Sequence, residues 1–257
     1  MNINNLIADL RDQGLVIFPN QDLKSWHIFK KIIDESCESF IKKNNNMKFD
    51  AADLNDKRME AFRNLNAYKD WDKLYYKMAE NLLDTIFGPD LLIQRKLNLS
   101  IQMPEDESSI LAMHADTLSG QSPFELVMWT AFTNASESNS MFYFDRETSK
   151  KIFQEMPSME KEGLEELRKK YWKKARFVDA KESDIVLFSG TLFHGNTVNK
   201  TENTRISINC RFKNLFSPAG KTKNADRGVG IFYKLLHESV VTEIGREYLK
   251  RDITFEI

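Results

Sequence analysis

The clearest strand pattern in the chain is an alternation of polar and apolar residues between Thr204 and Phe212. Its polar positions are Arg205, Ser207, Asn209 and Arg211, and its apolar positions are Ile206, Ile208, Cys210 and Phe212. Because successive side chains of a strand point to opposite faces, this segment is predicted to be a strand with one polar face. Such a face usually lies in solvent, but interleaved arginines also suit a carboxylate, to which a guanidinium donates two parallel hydrogen bonds.

A second alternating segment runs from Ile93 to Met103 and is predicted to be one strand. Its polar positions are Gln94, Lys96, Asn98, Ser100 and Gln102, and Arg95 is the exception on the apolar face. Strand surfaces in solvent usually favour Lys and Glu, whereas this row consists mainly of neutral amides and a hydroxyl. We therefore expect the row to face an interior, such as the lumen of a small barrel that holds a ligand.

Apolar residues at helical spacing and short apolar runs predict the other elements. Helices are predicted at Ile3 to Leu10, residues 21 to 43, about Asp70 to Phe87, within residues 146 to 175, and about Val240 to Lys250. Short strands are predicted at Gly14 to Phe18 and at residues 184 to 188, and a polar loop at residues 42 to 46. No linker rich in Pro, Gly or Ser follows the N-terminal helices, so residues 1 to 257 are expected to form one domain.

Within that domain, residues 1 to 89 are expected to be mostly helical and to buttress a β-rich core at residues 90 to 220. The core contains the helical insertion at about residues 146 to 175, and residues 221 to 257 form a C-terminal extension. The insertion carries a run of Lys and Arg residues that either binds phosphate or forms a solvated helix face balanced by glutamates. The intervening glutamates favour the solvated face.

Two of the four histidines belong to a candidate metal site. His114 and Asp116 form an H-x-D sequence, and His194 follows a predicted buried strand and a turn. Two imidazoles and one carboxylate are the facial ligand set of non-haem Fe(II), which leaves coordination positions open for other ligands. The other two histidines, His27 and His237, lie in a predicted helix and an apolar stretch and are expected to be structural.

Composition narrows the classes of function further. The chain has 257 residues, 41% of them hydrophobic, and a formal net charge of −1, so it can bury a sizeable core and has no basic excess for nucleic acid or an anionic membrane. It lacks an apolar run long enough to span a bilayer and the pattern of a signal peptide. Cys37 and Cys210 lie in unlike contexts and are expected to be reduced, which suits the cytoplasm.

Several motifs, taken together, resemble those of a known family. They are Gln94 to Ser100, His114-x-Asp116, Gly120 to Glu125, Asn139 to Met141, His194 to Asn196, and Thr204-Arg205-x-Ser207-x-Asn209. This set resembles the 2-oxoglutarate/Fe(II) oxygenases of the phytanoyl-CoA dioxygenase-like superfamily. Within it, the set resembles the branch found in bacterial carbohydrate clusters, which is related to the streptomycin-biosynthesis oxygenases. The resemblance covers roughly residues 90 to 220.

The resemblance implies a mainly β fold with helical additions, namely a double-stranded β-helix (jelly roll, cupin-like) buttressed by the N-terminal helices. It implies that His114, Asp116 and His194 bind Fe(II), and that Arg205 and Ser207 bind the distal carboxylate of 2-oxoglutarate. One residue of an earlier strand completes the cosubstrate site, and the candidates are Gln94, Asn98 and Gln102. Weaker candidates for substrate contact are Trp129, Tyr143, Asn196, Asn209 and Arg211.

The activity implied is a dioxygenase that uses Fe(II), 2-oxoglutarate and O2, releases succinate and CO2, and hydroxylates a small molecule. The expected substrate is a sugar or sugar conjugate, such as a nucleotide sugar, a polysaccharide precursor or an aminoglycoside-like compound. Because Asp116 supplies the carboxylate whose place chloride takes in related halogenases, halogenation is not expected. Two alternatives remain: the same cofactors with desaturation, epimerisation or ring formation, and a non-redox, cupin-like metal protein that binds or isomerises sugars. The oligomeric state is open.

Overall fold

The structure, a computed structural model, describes residues 2–41, 51–156, 163–222 and 225–248. The helices are α1 (Ile3–Gln13), α2 (Leu23–Ser36), α3 (Glu38–Ile41), α4 (Ala51–Ala67), α5 (Trp71–Lys77), α6 (Glu80–Phe87), α7 (Arg146–Glu155), α8 (Gly163–Tyr171) and α9 (Val240–Tyr248). The strands are β1 (Leu15–Phe18), β2 (Leu91–Gln94), β3 (Asn98–Gln102), β4 (Glu125–Ala131), β5 (Met141–Tyr143), β6 (Arg176–Phe177), β7 (Ile185–Ser189), β8 (His194–Asn196), β9 (Arg205–Asn214), β10 (Lys221–Thr222), β11 (Ala225–Asp226) and β12 (Tyr233–His237). Within these ranges, no helix is both long and apolar enough to cross a membrane.

Two antiparallel sheets form the core of the fold. The larger sheet has the strand order β1-β7-β4-β9-β2-β12, with β3 also paired to β9, and the smaller sheet has the order β6-β5-β8. Apolar side chains of both sheets pack together, among them Val127 and Trp129 of β4 and Met141 of β5. This arrangement is the predicted jelly roll, and the helical additions to it are extensive.

Strand β9 separates an apolar layer from a polar one, as its alternation predicts. Ile206, Ile208 and Phe212 belong to the core that the large sheet shares with the helices α2, α4, α5 and α6. Fully buried side chains such as Phe29 and Tyr75 make up this layer, and each buried apolar side chain contributes about 1.5–3 kcal/mol of transfer free energy. The helices therefore cover one face of the large sheet, and the polar face of β9 is turned to the space between the two sheets.

The prediction of a single strand from Ile93 to Met103 is wrong, because β2 ends at Gln94 and β3 begins at Asn98. The intervening backbone finds partners outside the β9 ladder. The Arg95 amide donates to the Phe232 carbonyl beside β12 at 2.9 Å, and the Leu97 amide donates to Asn66 of α4 at 2.8 Å. Arg95 and Lys96 are consequently exposed, and the alternation that placed Lys96 on the interior face is interrupted.

The predicted helix from Asp70 to Phe87 is also divided, into α5 and α6. Gln21 occupies the break, since its amide donates to the Met78 carbonyl at 3.0 Å and its side-chain oxygen accepts from the Asn81 amide at 3.0 Å. The predicted helix at residues 21 to 43 is likewise split into α2 and α3 by Cys37, and α4 was not predicted at all. The predicted loop at residues 42 to 46 and the end of the last predicted helix lie outside the described residues.

The charged insertion is helical in its described part, as α7 and α8. Three of the six basic residues from Arg168 to Arg176 form ion pairs: Arg168 with Glu165 at 2.6 Å, Lys170 with Glu155 at 2.8 Å, and Arg176 with Asp145 at 3.3 Å. Such exposed pairs add little stability individually. Their pairing supports the solvated helix face rather than a phosphate-binding patch.

Candidate metal centre and active-site pocket

The side chains of His114, Asp116 and His194 converge between the two sheets. His114 and His194 form a β-bridge in which each amide donates to the other's carbonyl, at 2.9 and 2.8 Å, and the ring centroids lie 4.3 Å apart. One ligand atom from each of the three residues lies within 4.8 Å of the others. The backbone bridge thus fixes two imidazoles side by side, and Asp116 follows two residues after the first.

Both imidazoles are oriented in the same way by the main chain. The Nδ1 atom of His114 lies 2.9 Å from the Ala112 carbonyl oxygen, and Nδ1 of His194 lies 2.9 Å from the Leu192 carbonyl oxygen. Because a carbonyl only accepts, each Nδ1 carries a proton, and in the neutral ring the lone pair is then on Nε2. Burial lowers the pKa of His194 to about 4, so this imidazole is neutral at physiological pH. Neutral imidazoles with a free Nε2 are metal donors.

Arg211 orients the carboxylate of Asp116. Its Nη2 donates to Oδ2 of Asp116 at 2.7 Å, while Oδ1 of Asp116 lies 3.8 Å from Nε2 of His114. Burial alone would raise the pKa of Asp116, but the positive charge of Arg211, the hydrogen bond from Arg211 and the two neighbouring histidines together more than offset it, so the pKa lies below its usual value. Asp116 is therefore an ionised carboxylate with one oxygen held by the protein and the other turned to the histidines. These donors fit a facial Fe(II) site.

Arg211 also fixes the donor-to-acceptor direction of the hydrogen bonds along a row of amide side chains. Its Nη1 donates to Oε1 of Gln94 at 3.0 Å, so Gln94 must use its nitrogen to donate to Oδ1 of Asn98 at 3.4 Å. Asn98 in turn donates to Oδ1 of Asn209 at 2.8 Å. Because arginine can only donate, the row has one polarity, and the side-chain nitrogen of Asn209 is left as the donor at its end.

Arg205 is a buried cation with only neutral partners. It is 3% exposed, and its guanidinium donates to Ser207, to Ser100 at 3.1 Å, to Gln102 at 2.8 Å and to the Asn139 carbonyl at 3.0 Å. Burial lowers its pKa to about 10, which still leaves it charged. Among the described residues, no carboxylate lies within 4.0 Å of it, whereas buried charges are normally paired. Arg205 therefore has the position and charge to receive an anionic ligand.

A single cavity of about 380 Å³ connects the three candidate metal ligands with Arg205. Its polar lining also includes Asn98, Ser100, Asn209 and Arg211, and its apolar lining includes Leu99, Val127, Trp129, Met141 and Phe188. The loop residues Ser108, Ser109, Ile110 and Leu111 form another part of the wall. A cavity of this size, in which polar groups converge beside an apolar wall, is typical of small-molecule sites.

Comparisons with known proteins identify the fold. No protein-family model matches the chain, and the comparison with curated proteins found no match either. Among solved structures, the non-haem monooxygenase ThoJ in its Ni complex is 16% identical, with 91% of this chain and 84% of that chain covered and a TM-score of 0.57. The chain therefore shares its fold with this non-haem monooxygenase.

Two further structures support the same conclusion. EctD from S. alaskensis with 2-oxoglutarate and 5-hydroxyectoine is 12% identical, with 85% and 78% coverage and a TM-score of 0.58. The non-haem α-ketoglutarate-dependent carbocyclase SnoK from nogalamycin biosynthesis is 13% identical, with 90% and 95% coverage and a TM-score of 0.55. Identities this low establish a shared fold, and the chemistry of this chain depends on its own residues.

The other sequence candidates occupy different places around the cavity. Of the three candidates for completing the cosubstrate site, Asn98 lines the cavity, while Gln94 and Gln102 lie behind Arg211 and Arg205 as hydrogen-bond acceptors. Trp129 lines the cavity and lies under Arg205, whose guanidinium carbon is 5.9 Å from the ring centroid.

Among the weaker substrate candidates, Tyr143 is not part of the cavity lining and pairs with His194 in the small sheet. Asn196 lines the cavity, but its amide is used to hold the loop at Ser109 and Leu111. Sequence reasoning missed the role of Ser100, which is paired with Ser207 in the β3–β9 register and accepts from Arg205. Its place in the same polar row as Asn98 was the signal that could have identified it.

Sequence reasoning also missed a buried group behind Arg211. The carboxylate of Glu125 lies 3.7 Å from Nε of Arg211 and accepts from the Tyr233 hydroxyl at 2.5 Å. Burial raises the pKa of Glu125. Tyr233 reaches this position because β12 pairs with β2, and no local pattern in the sequence indicates that pairing.

Proposed function

We propose that this protein is an Fe(II)/2-oxoglutarate-dependent oxygenase that acts on a small molecule. One observation carries the proposal: two free imidazole nitrogens, a free carboxylate oxygen and an unbalanced buried cation share one cavity. A metal site alone requires only the first three. The cation adds a place for the distal carboxylate of a cosubstrate whose keto-acid end binds the metal.

In this proposal His114, Asp116 and His194 hold Fe(II), and Arg205 with Ser207 and Ser100 holds the cosubstrate carboxylate. When Fe(II), 2-oxoglutarate and O2 are bound, such a site converts the keto acid to succinate and CO2 and oxidises a C–H bond of the substrate. The chain positions the cosubstrate between two fixed points, which lowers the entropic cost of the reaction. The apolar wall around Trp129 keeps bulk water from the reacting centre.

A sugar or sugar conjugate remains the proposed substrate, supported by the resemblance of the sequence motifs to carbohydrate-cluster oxygenases. Hydroxylation is the proposed outcome. The carbocyclase SnoK has the same fold, so product analysis is the measurement that separates hydroxylation from ring formation, epimerisation or desaturation. A non-redox metal protein is disfavoured, because it has no need for the buried cation at Arg205. Cys37 and Cys210 are buried free thiols, which supports the proposal that the protein acts in the cytoplasm.

The test is O2-dependent conversion of 2-oxoglutarate to succinate by the protein loaded with Fe(II). The wild type is expected to release succinate and CO2 in equal amounts, slowly without substrate. Asp116→Ala is expected to release neither, because one metal ligand is lost. Asp9→Ala, which changes an exposed aspartate of α1, is the matched control and is expected to behave as wild type. Metal-loaded wild type that never consumes 2-oxoglutarate would refute the proposal.

A further inference from the structure

The charged side chains that line the cavity all have assigned partners once the proposed cosubstrate is bound. They are Asp116, Arg205 and Arg211. Asp116 and Arg211 are paired with each other at 2.7 Å, and Arg205 receives the cosubstrate carboxylate under the proposed function. In the part of the chain that the structure describes, no lining residue then offers a free charge to a substrate. An ionic group entering the cavity would be desolvated without a partner, which is costly.

The loop before His114 is anchored firmly to the rest of the site. Arg58 of α4 forms an ion pair with Asp106 at the start of this loop, with the Asp106 side chain 11% exposed. At the other end, the Asn196 side chain accepts from the Leu111 amide and donates to the Ser109 carbonyl at 3.0 Å.

A close approach of the backbone completes this anchoring. Gly195, which follows His194, leaves room for the Leu111 carbonyl, since a Cβ at this glycine would lie 2.7 Å from that oxygen. A larger residue would push the loop away from the metal-binding strand β8. The loop is therefore a preformed wall of the cavity.

This anchored wall presents two aliphatic side chains to the cavity without covering them. Ile110 is 43% exposed and Leu111 is 55% exposed, and both line the cavity. Leu99, Val127 and Met141 continue the apolar lining inward. Exposing adjacent aliphatic side chains on a fixed loop forgoes the free energy of burying them, and a ligand that covers them recovers it.

The hydrogen-bond donor that the cavity lining leaves for a substrate belongs to a neutral side chain. Asn209 lines the cavity, and the direction imposed by Arg211 leaves its side-chain nitrogen as a donor, with no acceptor for it among the described residues. A hydroxyl, ether or carbonyl oxygen is the matching acceptor, and none of these needs a charge.

We propose that the substrate is uncharged where it enters the cavity and presents an aliphatic or alicyclic face to Ile110 and Leu111, with an oxygen acceptor available to Asn209. This inference rests on the proposed function and narrows it. It favours a glycoside with a neutral apolar group over a sugar phosphate or nucleotide sugar.

The test measures binding of three probes to the anaerobic protein loaded with Fe(II) and 2-oxoglutarate: hexyl glucoside, glucose and glucose 6-phosphate. Perturbation of the charge-transfer absorption of the loaded site reports binding. Hexyl glucoside is expected to bind at least roughly tenfold more tightly than glucose, because each buried methylene favours binding. Glucose 6-phosphate is expected to bind no more tightly than glucose.

The double variant Ile110→Ser/Leu111→Ser is expected to lose roughly tenfold in affinity for hexyl glucoside and to keep its affinity for 2-oxoglutarate. Leu23→Ser is the matched control, because Leu23 is 54% exposed and lies outside the cavity lining, and it is expected to change neither affinity. Tightest binding of glucose 6-phosphate, no binding of hexyl glucoside, or an unchanged preference in the double variant would overturn the inference. Absence of the charge-transfer absorption itself would instead refute the proposed function.

Discussion

Replacing Arg205 by methionine is expected to weaken the binding of 2-oxoglutarate strongly while changing the stability of the fold little. Truncating one partner of a buried, hydrogen-bonded charge pair costs about 2–5 kcal/mol, so 2-oxoglutarate is expected to bind roughly 30- to 5,000-fold more weakly. The metal affinity should be unchanged, since Arg205 contacts none of the three metal-ligand candidates.

The stability of the protein without ligands should change much less. The variant loses four donated hydrogen bonds, worth about 1 kcal/mol each. It also removes a cation whose burial lowers its pKa from 12.5 to about 10, a penalty of about 3 kcal/mol. These contributions largely offset each other, so we expect the free energy of unfolding to change by no more than about 2 kcal/mol.

Thermal unfolding with Ni(II) in place of Fe(II) measures both effects in one experiment. 2-Oxoglutarate at a concentration that just saturates the wild type is expected to raise the wild-type melting temperature, because a ligand of the folded state stabilises it, and to raise that of the Arg205→Met variant much less. Arg176→Met, which changes an arginine that is 53% exposed, is the matched control. Equal stabilisation of Arg205→Met and wild type by 2-oxoglutarate would refute the assignment of the anchor.

Three further perturbations test the metal centre and its surroundings. Arg211→Gln should weaken metal binding roughly 10- to 100-fold by freeing Oδ2 of Asp116, as measured by calorimetric titration with Ni(II), and an unchanged affinity would show that Asp116 needs no orientation. For His194 the folded pKa is about 4, below the usual 6.5, so the unfolded state binds more protons between these values. Metal-free protein should therefore lose up to about 3 kcal/mol of stability as pH falls from 6.5 toward 4, and urea unfolding that shows no loss in this window would contradict it. Gly195→Ala should destabilise by about 1–3 kcal/mol, because the new Cβ would lie 2.7 Å from the Leu111 carbonyl, and wild-type stability would show that the loop yields freely.

Much of the jelly-roll core was predictable because its signals are local. The alternation through Arg205 and Ser207 correctly gave one polar and one apolar face, and the structure turns the polar face toward the cavity. The spacing of His114 and Asp116 and the turn before His194 indicated residues that the structure brings within ligand distance of one another. Their binding of iron remains a prediction.

The parts that sequence reasoning missed depend on distant partners. The row of polar positions continues past Gln94 to Lys96, but the Arg95 amide donates to the carbonyl of Phe232, far along the chain, so the strand is interrupted. The pairing of Arg211 with Asp116 is equally non-local: the sequence offered Arg211 as a candidate for substrate contact, and the structure places it beside the metal-ligand candidate Asp116. Residue type and spacing identified Arg205 and Arg211 as candidates. Tertiary packing determined that Arg211 is paired with Asp116, whereas Arg205 has no carboxylate partner among the described residues.

The most direct test of the central claim is anaerobic addition of Fe(II) and 2-oxoglutarate, followed by visible spectroscopy. Chelation of the keto acid by protein-bound iron is expected to give a weak charge-transfer band in the wild type. The band is expected to be absent from His114→Ala, and in Arg205→Met it should appear only at much higher cosubstrate concentration. Wild-type protein that binds Fe(II) but shows no band at saturating 2-oxoglutarate would contradict the account.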